Sequence, residues 1–269
     1  MIAATDAPPG ALPLLPVDRI GPLAGLRNML RKEVSQWWQT RLWWIQVLIW
    51  VVLLNGVTTV VMLTEPTVAV DVLMREVTST FLQMGVTAIG IGVVLTVQGA
   101  IVGEKELGTA AWVMSKPASR SAFVLAKLIG HAVGFVVTAI AVPAVIFTVE
   151  VSILLSHAPA VGPFAAGVGV VTLAVVFYLA LTLALGALFD GRGPVAGIGV
   201  GMVLAGVFFK GLLPPVIVYT MPWLLGDIAG AIAVGGPLDP NWLVPVVTTA
   251  LATVALTGVA VWRFGREEF

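Results

Sequence analysis

The chain has 269 residues, with acidic and basic side chains in equal number and no cysteine. Its residues are 59% hydrophobic and only 10% charged, against about 45–50% and 25% in soluble domains, which excludes an ordinary soluble fold. Balanced charge removes the long-range field that nucleic-acid binding exploits, and the lack of cysteine removes disulfides, thiol catalysis and thiolate metal sites.

Residues 1–25 are rich in Pro, Ala and Gly and lack a compact apolar h-region, so they read as a disordered leader on the cytoplasmic side. Residues 26–40, LRNMLRKEVSQWWQT, form a two-faced helix. Leu26, Met29, Leu30, Val34, Trp37 and Trp38 follow the i, i+3, i+4 rule, while Arg27, Arg31, Lys32, Ser35 and Gln39 point away. That pattern predicts an amphipathic helix lying in the membrane interface, with Trp43 and Trp44 continuing its aromatic belt.

From residue 41 to 269 the sequence reads as one all-α transmembrane domain. Six apolar runs are long enough to span: Leu42–Leu63, Phe81–Val102, Ser121–Leu155, Pro163–Phe189, Pro194–Leu213 and Trp242–Val261. They are continuous, whereas barrel strands alternate over about ten residues. The third is too long for one straight crossing, and Pro143 predicts a kink in it. With the N-terminus inside, twelve basic residues fall on the cytoplasmic side and only Arg75 and Lys210 outside, so both termini are expected inside.

Val216–Val234 is apolar but carries Pro222, Gly226, Asp227 and Gly230. An Asp at mid-bilayer costs about 2.5–3.5 kcal/mol on insertion scales. The stretch therefore predicts an outer re-entrant hairpin between the fifth and sixth spans. In the fifth span, Gly193, Gly197 and Gly201 repeat at four-residue spacing, a small-residue face suited to close helix packing within or between subunits. The polar residues inside the spans include His131, Glu150 and Lys210; His131 reads as structural, and the other two as lying near the outer boundary. No Ser/His or paired acidic constellation shares one depth, so hydrolase chemistry finds no support, and no His spacing suits a metal.

Residues 103–121, GEKELGTAAWVMSKPASRS, place three consecutive charges between two spans. Glu104, Lys105 and Glu106 extend the second helix. Gly108 suits the left-handed residue that ends it, Thr109 can cap a short helix through Met114, and Pro117 suits the first turn of the next. The short helix would display Trp112, Val113 and Met114, an apolar docking surface on an exposed elbow.

With EKELGT followed by SKPASR, the chain resembles the membrane subunits of type-2 ABC transporters. The resemblance covers most of the chain. It takes in Arg31-Lys32-Glu33 in the entry helix, six spans, the outer hairpin and the ending Trp262-Arg263-Phe264-Gly265-Arg266-Glu267-Glu268. It implies a type V exporter-like fold in the cell membrane and a coupling helix that seats on a separate ATPase. Glu104, Glu106, Gly108, Thr109, Pro117 and Arg120 carry over, with Trp112 and Met114 facing that partner. The carboxylates would pair with basic residues of the ATPase or with Lys105, and Arg120 with Glu104 or lipid phosphate. No GxxxxGK[ST] loop is present, so ATP and Mg belong to the partner ATPase dimer and this chain is not itself an enzyme. A second copy, or a related permease, would complete the pathway; the short Asp190–Gly193 connection gives no second coupling contact. The substrate would be hydrophobic or amphipathic. The alternatives are an ATP-independent secondary carrier, which needs midplane ion ligands and repeats, and a non-transporting scaffold or sensor.

Overall fold

The computed structural model describes residues 21–65, 67–115 and 118–267, with only the backbone of Ala111 and Met114. All regular elements among them are helical. Six helices are long and apolar enough to cross a membrane: Leu42–Thr64, Val70–Glu106, Arg120–Leu154, Val161–Leu188, Arg192–Phe209 and Leu243–Gly265. At ~1.5 Å per residue the second and third reach roughly 50–55 Å, well past a hydrocarbon core about 30 Å thick. The sequence reading began the second span at Phe81. Its helix starts at Val70 because Leu73 and Val77 bury at i, i+4 spacing while Asp71, Arg75 and Glu76 stay exposed. Hydropathy averages those polar turns away.

The irregularity expected at Pro143 takes the form of a widened π turn, Val136–Ala141, directly before it. Proline removes a backbone donor and crowds the carbonyl one turn back, and an inserted residue relieves both. The first span has a π turn of its own, Val51–Asn55. The Asn55 amide donates across the gap to the Pro143 carbonyl at 3.1 Å and to Glu150 Oε2 at 3.3 Å.

Helices in lipid gain little from the hydrophobic effect and associate through close packing and hydrogen bonds. The fourth span is the most enclosed of the six. It contacts the second, third, fifth and sixth spans and the short helix Pro222–Val234. Phe81, Phe147 and Phe164 stack where the second, third and fourth spans meet, at centroid distances of 4.4 and 5.6 Å along the stack.

Between the fifth and sixth spans the chain forms two short helices, Pro215–Thr220 and Pro222–Val234. Pro222 breaks the apolar stretch, so Val216–Val234 is not one helix of spanning length. The second short helix lies against the second span through Gly226 on Gln83 and Gly230 on Ser79. Trp223 Nε1 donates to the Met202 carbonyl at 2.9 Å. Asp227, an isolated burden in the sequence, pairs with Lys210 at 2.6 Å.

The entry helix runs Leu26–Trp38. Residues 21–25, expected to be disordered, form a turn fastened to the start of the third span. Ser119 N–H donates to the Ala24 carbonyl at 3.0 Å, and Ser119 Oγ to the Pro22 carbonyl at 2.7 Å. Residues 1–20 lie outside the described residues.

Candidate functional site: a charge-braced elbow

The second span ends at Glu106, and Gly108 follows with φ +68°, a conformation only glycine adopts without strain. Nothing lies within 4 Å of where its side chain would start, so the turn, and not crowding, selects glycine. A short helix Thr109–Met114 follows. The third span opens at Arg120, capped by Ser119 Oγ, which accepts from Ala122 N–H at 3.1 Å. Thr109 does something other than the capping expected of it. Its hydroxyl turns back toward Glu104, 3.1 Å from Oε2 and 3.3 Å from the backbone carbonyl. Pro117 and the Met114 side chain lie outside the described residues.

The three consecutive charges grip three different parts of the bundle. Glu104 Oε1 accepts from Lys127 at 2.9 Å and Lys32 at 3.2 Å, two lysines that local sequence does not connect to it. Lys127, only 3% exposed, also reaches Glu33 at 3.2 Å and lies 4.9 Å above the Phe123 ring. A buried ammonium is costly unless compensated. Here two lysines face two glutamates, so the cluster is neutral.

Lys105 turns the other way, to Asp190 and Glu267 at 3.2 Å each and to the Ala187 carbonyl at 3.4 Å. Glu106 takes Arg192 at 3.0 Å. Arg192 lies across Gly99 and Gly103, within 3.0 Å of where a side chain on Gly103 would begin. The short Asp190–Gly193 connection therefore braces the elbow. Arg120 donates to the Gly265 carbonyl at the end of the sixth span, and Phe123 stacks on Phe264 at 4.7 Å with the rings nearly parallel.

The entry helix docks in a groove on the third span. Glu33 covers Gly130 and Trp37 covers Gly134; a side chain on either glycine would start 2.6 and 2.3 Å from those residues. Trp37 Nε1 donates to His131 Nδ1 at 3.3 Å, which fixes the neutral ring with its proton on Nε2. His131 is thus a satisfied packing residue, as the sequence suggested.

Two large apolar side chains stand outward on the elbow. Leu107 is 76% and Trp112 63% exposed, while Ala110 is buried and Val113 packs on the core. Gly193, Gly197 and Gly201 face open space, with nothing within 4 Å of any of them. The inward face of the fifth span is a different row, Val195, Gly199, Val203 and Gly206. The pairing of Glu33 with Lys127 and the Gly130/Gly134 groove went unread in the sequence. Their signals were two charges set beside apolar runs and a second four-residue glycine repeat. Among the described residues no group of three His, Asp or Glu side chains converges to hold a metal.

Six apolar helices, the fourth enclosed among the others, with most ion pairs of the described residues gathered at one end, define a multi-pass helical membrane protein. No protein-family model matches the chain. Over 180 residues it is similar to the uncharacterized transmembrane protein YxlG of Bacillus subtilis (strain 168), with 27% identity covering 65% of this chain and 67% of that protein.

Proposed function

We propose that this chain is the membrane subunit of an ATP-driven transporter of the type-2 ABC class, exporting a hydrophobic or amphipathic substrate. The observation that carries the reading is the elbow. It joins the charged end of the second span, held by ion pairs to the rest of the bundle, through the turn at Gly108 to a short helix, and it presents Leu107 and Trp112 outward. A push on such a knob reaches the second span through Gly108 and the third through the Glu104–Lys127 pair. A floppy loop would absorb it.

In this reading the basic residues hold the elbow and both chain ends on the cytoplasmic side of the cell membrane. The entry helix lies at the inner interface with Trp38 and Trp43, whose rings are 6.3 Å apart. Pro215–Thr220 and Pro222–Val234 form the re-entrant element on the outer side. A separate ATPase dimer supplies ATP and Mg and receives the elbow. A second copy or a related permease packs on the outward row Gly193, Gly197 and Gly201.

The test is copurification of the native complex, followed by ATPase assay of Trp112→Ala and Gly108→Val. An interface Trp is commonly worth about 2 kcal/mol or more, so Trp112→Ala should weaken ATPase association roughly thirtyfold. Gly108→Val should misdirect the elbow, because a β-branched residue resists positive φ. Both should still insert and fold. Wild-type protein that brings down no ATPase, or both variants coupling normally, sinks the reading.

A further inference from the structure

At the end of the bundle away from the elbow, a cavity of about 520 Å³ opens between the start of the second span, the connection before the fourth, and the end of the short helix Pro222–Val234. Its wall is part apolar, with Met74 and Val234, and part polar, with Asp71, Arg75, Thr78 and His157. We propose that this cavity binds an amphiphile whose headgroup joins a phosphate ester to an ammonium, as in phosphatidylethanolamine.

The phosphate half rests on three observations, and a histidine of the same wall bears on the other half. Arg75 has no ion-pair partner among the described residues, and guanidinium groups match phosphate oxygens with paired donors. His157 Nδ1 lies 3.0 Å from the Leu155 carbonyl. A carbonyl only accepts, so Nδ1 carries the proton and Nε2 is left as the acceptor of the ring, which serves the ammonium half of the ligand rather than the phosphate. Thr78 is 98% buried by its 2% exposure, yet its hydroxyl has no partner among the described residues and it lines the cavity. Most buried threonines of this bundle, such as Thr138 and Thr182, return their hydroxyl to a carbonyl one turn back. Lastly, the second and fourth spans begin here, at Val70 and Val161, and neither has a side-chain cap. Their first N–H groups and positive dipole ends favour an anion at this place.

The ammonium half rests further on Asp71, the acidic group of the same wall, which also has no ion pair among the described residues. Arg75 and Asp71 lie one helical turn apart without bridging each other. A zwitterion satisfies both, whereas a simple anion would face Asp71 unfavourably. The level of the cavity agrees with a lipid source. Val70, Val161 and Val234 are ends of three apolar helices, and such ends meet the headgroup region when the helices lie in a bilayer. Ser156, beside His157, holds φ +56°, a strained conformation for serine of the sort that clusters at ligand sites.

The experiment uses the purified full chain and native mass spectrometry after incubation with four probes. These are phosphatidylethanolamine, phosphatidylglycerol, diacylglycerol and soluble phosphoethanolamine. Phosphatidylethanolamine should be retained over diacylglycerol by about tenfold or more, as one charge-assisted hydrogen bond predicts. Arg75→Gln should remove that preference. Asp71→Asn should weaken phosphatidylethanolamine but not phosphatidylglycerol, which has no ammonium. Both residues are exposed, so neither variant threatens folding. Displacement of the lipid by soluble phosphoethanolamine at equal concentration would support the same headgroup chemistry with a soluble ester as its source; no displacement supports the lipid. Equal retention of diacylglycerol, or full retention by Arg75→Gln, overturns the proposal. It does not depend on the transporter reading, since no probe involves an ATPase.

Discussion

The elbow end and the opposite end of the bundle carry similar side chains in contrary arrangements. At the elbow end, seven of the eight ion pairs among the described residues join the entry helix, both long spans, the fourth-to-fifth connection and the C-terminal helix. At the other end there is one pair, Lys210 with Asp227, while Asp71, Arg75 and His157 surround an open cavity. Charge that is interlinked holds helices together, and charge left apart around a cavity is available to a ligand. One end of this protein is built to be stiff, and the other to be occupied.

The largest expected effect tests the stiff end. Lys127→Ala would strand Glu33, and leave Glu104 with only Lys32, in a buried setting. Removing one partner of a buried pair typically costs about 3–5 kcal/mol, and thermal unfolding in detergent would read it. Lys210→Ala, at a pair whose side chains are 39% and 44% exposed, should cost about 1 kcal/mol or less. Equal losses would erase the contrast between the ends.

A smaller effect sharpens the comparison at the level of glycine. In Gly134→Ala the new methyl would start 2.3 Å from the Trp37 ring, and such overpacking costs about 1–3 kcal/mol. Tryptophan emission should shift as the entry helix lifts. Gly197→Ala meets open space and should leave the stability of the isolated chain unchanged. A matching loss there would mean that the outward row is covered.

The smallest effect lies in the exposed loop before the sixth span. The Asn241 N–H, first, and the Tyr219 hydroxyl, second, hold the Asp239 carboxyl below its ordinary pKa. A lowered folded-state value means the contribution is complete above the unfolded pKa and fades as pH falls through the lowered one. Emission from Trp242, which closes this loop, should change in acid in the wild type. In Asp239→Asn that transition should vanish. A wild-type response at neutral pH would contradict the sign.

How much was legible follows from which signals are local. The six helices could be read because a backbone in lipid must satisfy its own hydrogen bonds, so every long apolar run becomes a helix. Gly108 could be read because a helix end needs a left-handed residue and the chain offers a glycine between two helical stretches. The length of the second helix could not, because its outer turns are amphipathic and hydropathy sees only averages.

The sequence alone determined the all-helical membrane class, the elbow between the second and third spans, and the break at Pro222, each a matter of residues near one another in the chain. The tertiary structure alone decided which charges meet. Glu33 and Lys127 are 94 residues apart, and Lys32 and Glu104 are 72; nothing in a window of sequence sets the rotation of one helix toward another. The glycines show the same limit. Gly130/Gly134 and Gly193/Gly197/Gly201 have one spacing, yet the first row receives Glu33 and Trp37 while the second faces outward. A four-residue repeat specifies a smooth face, and only packing specifies what lies against it.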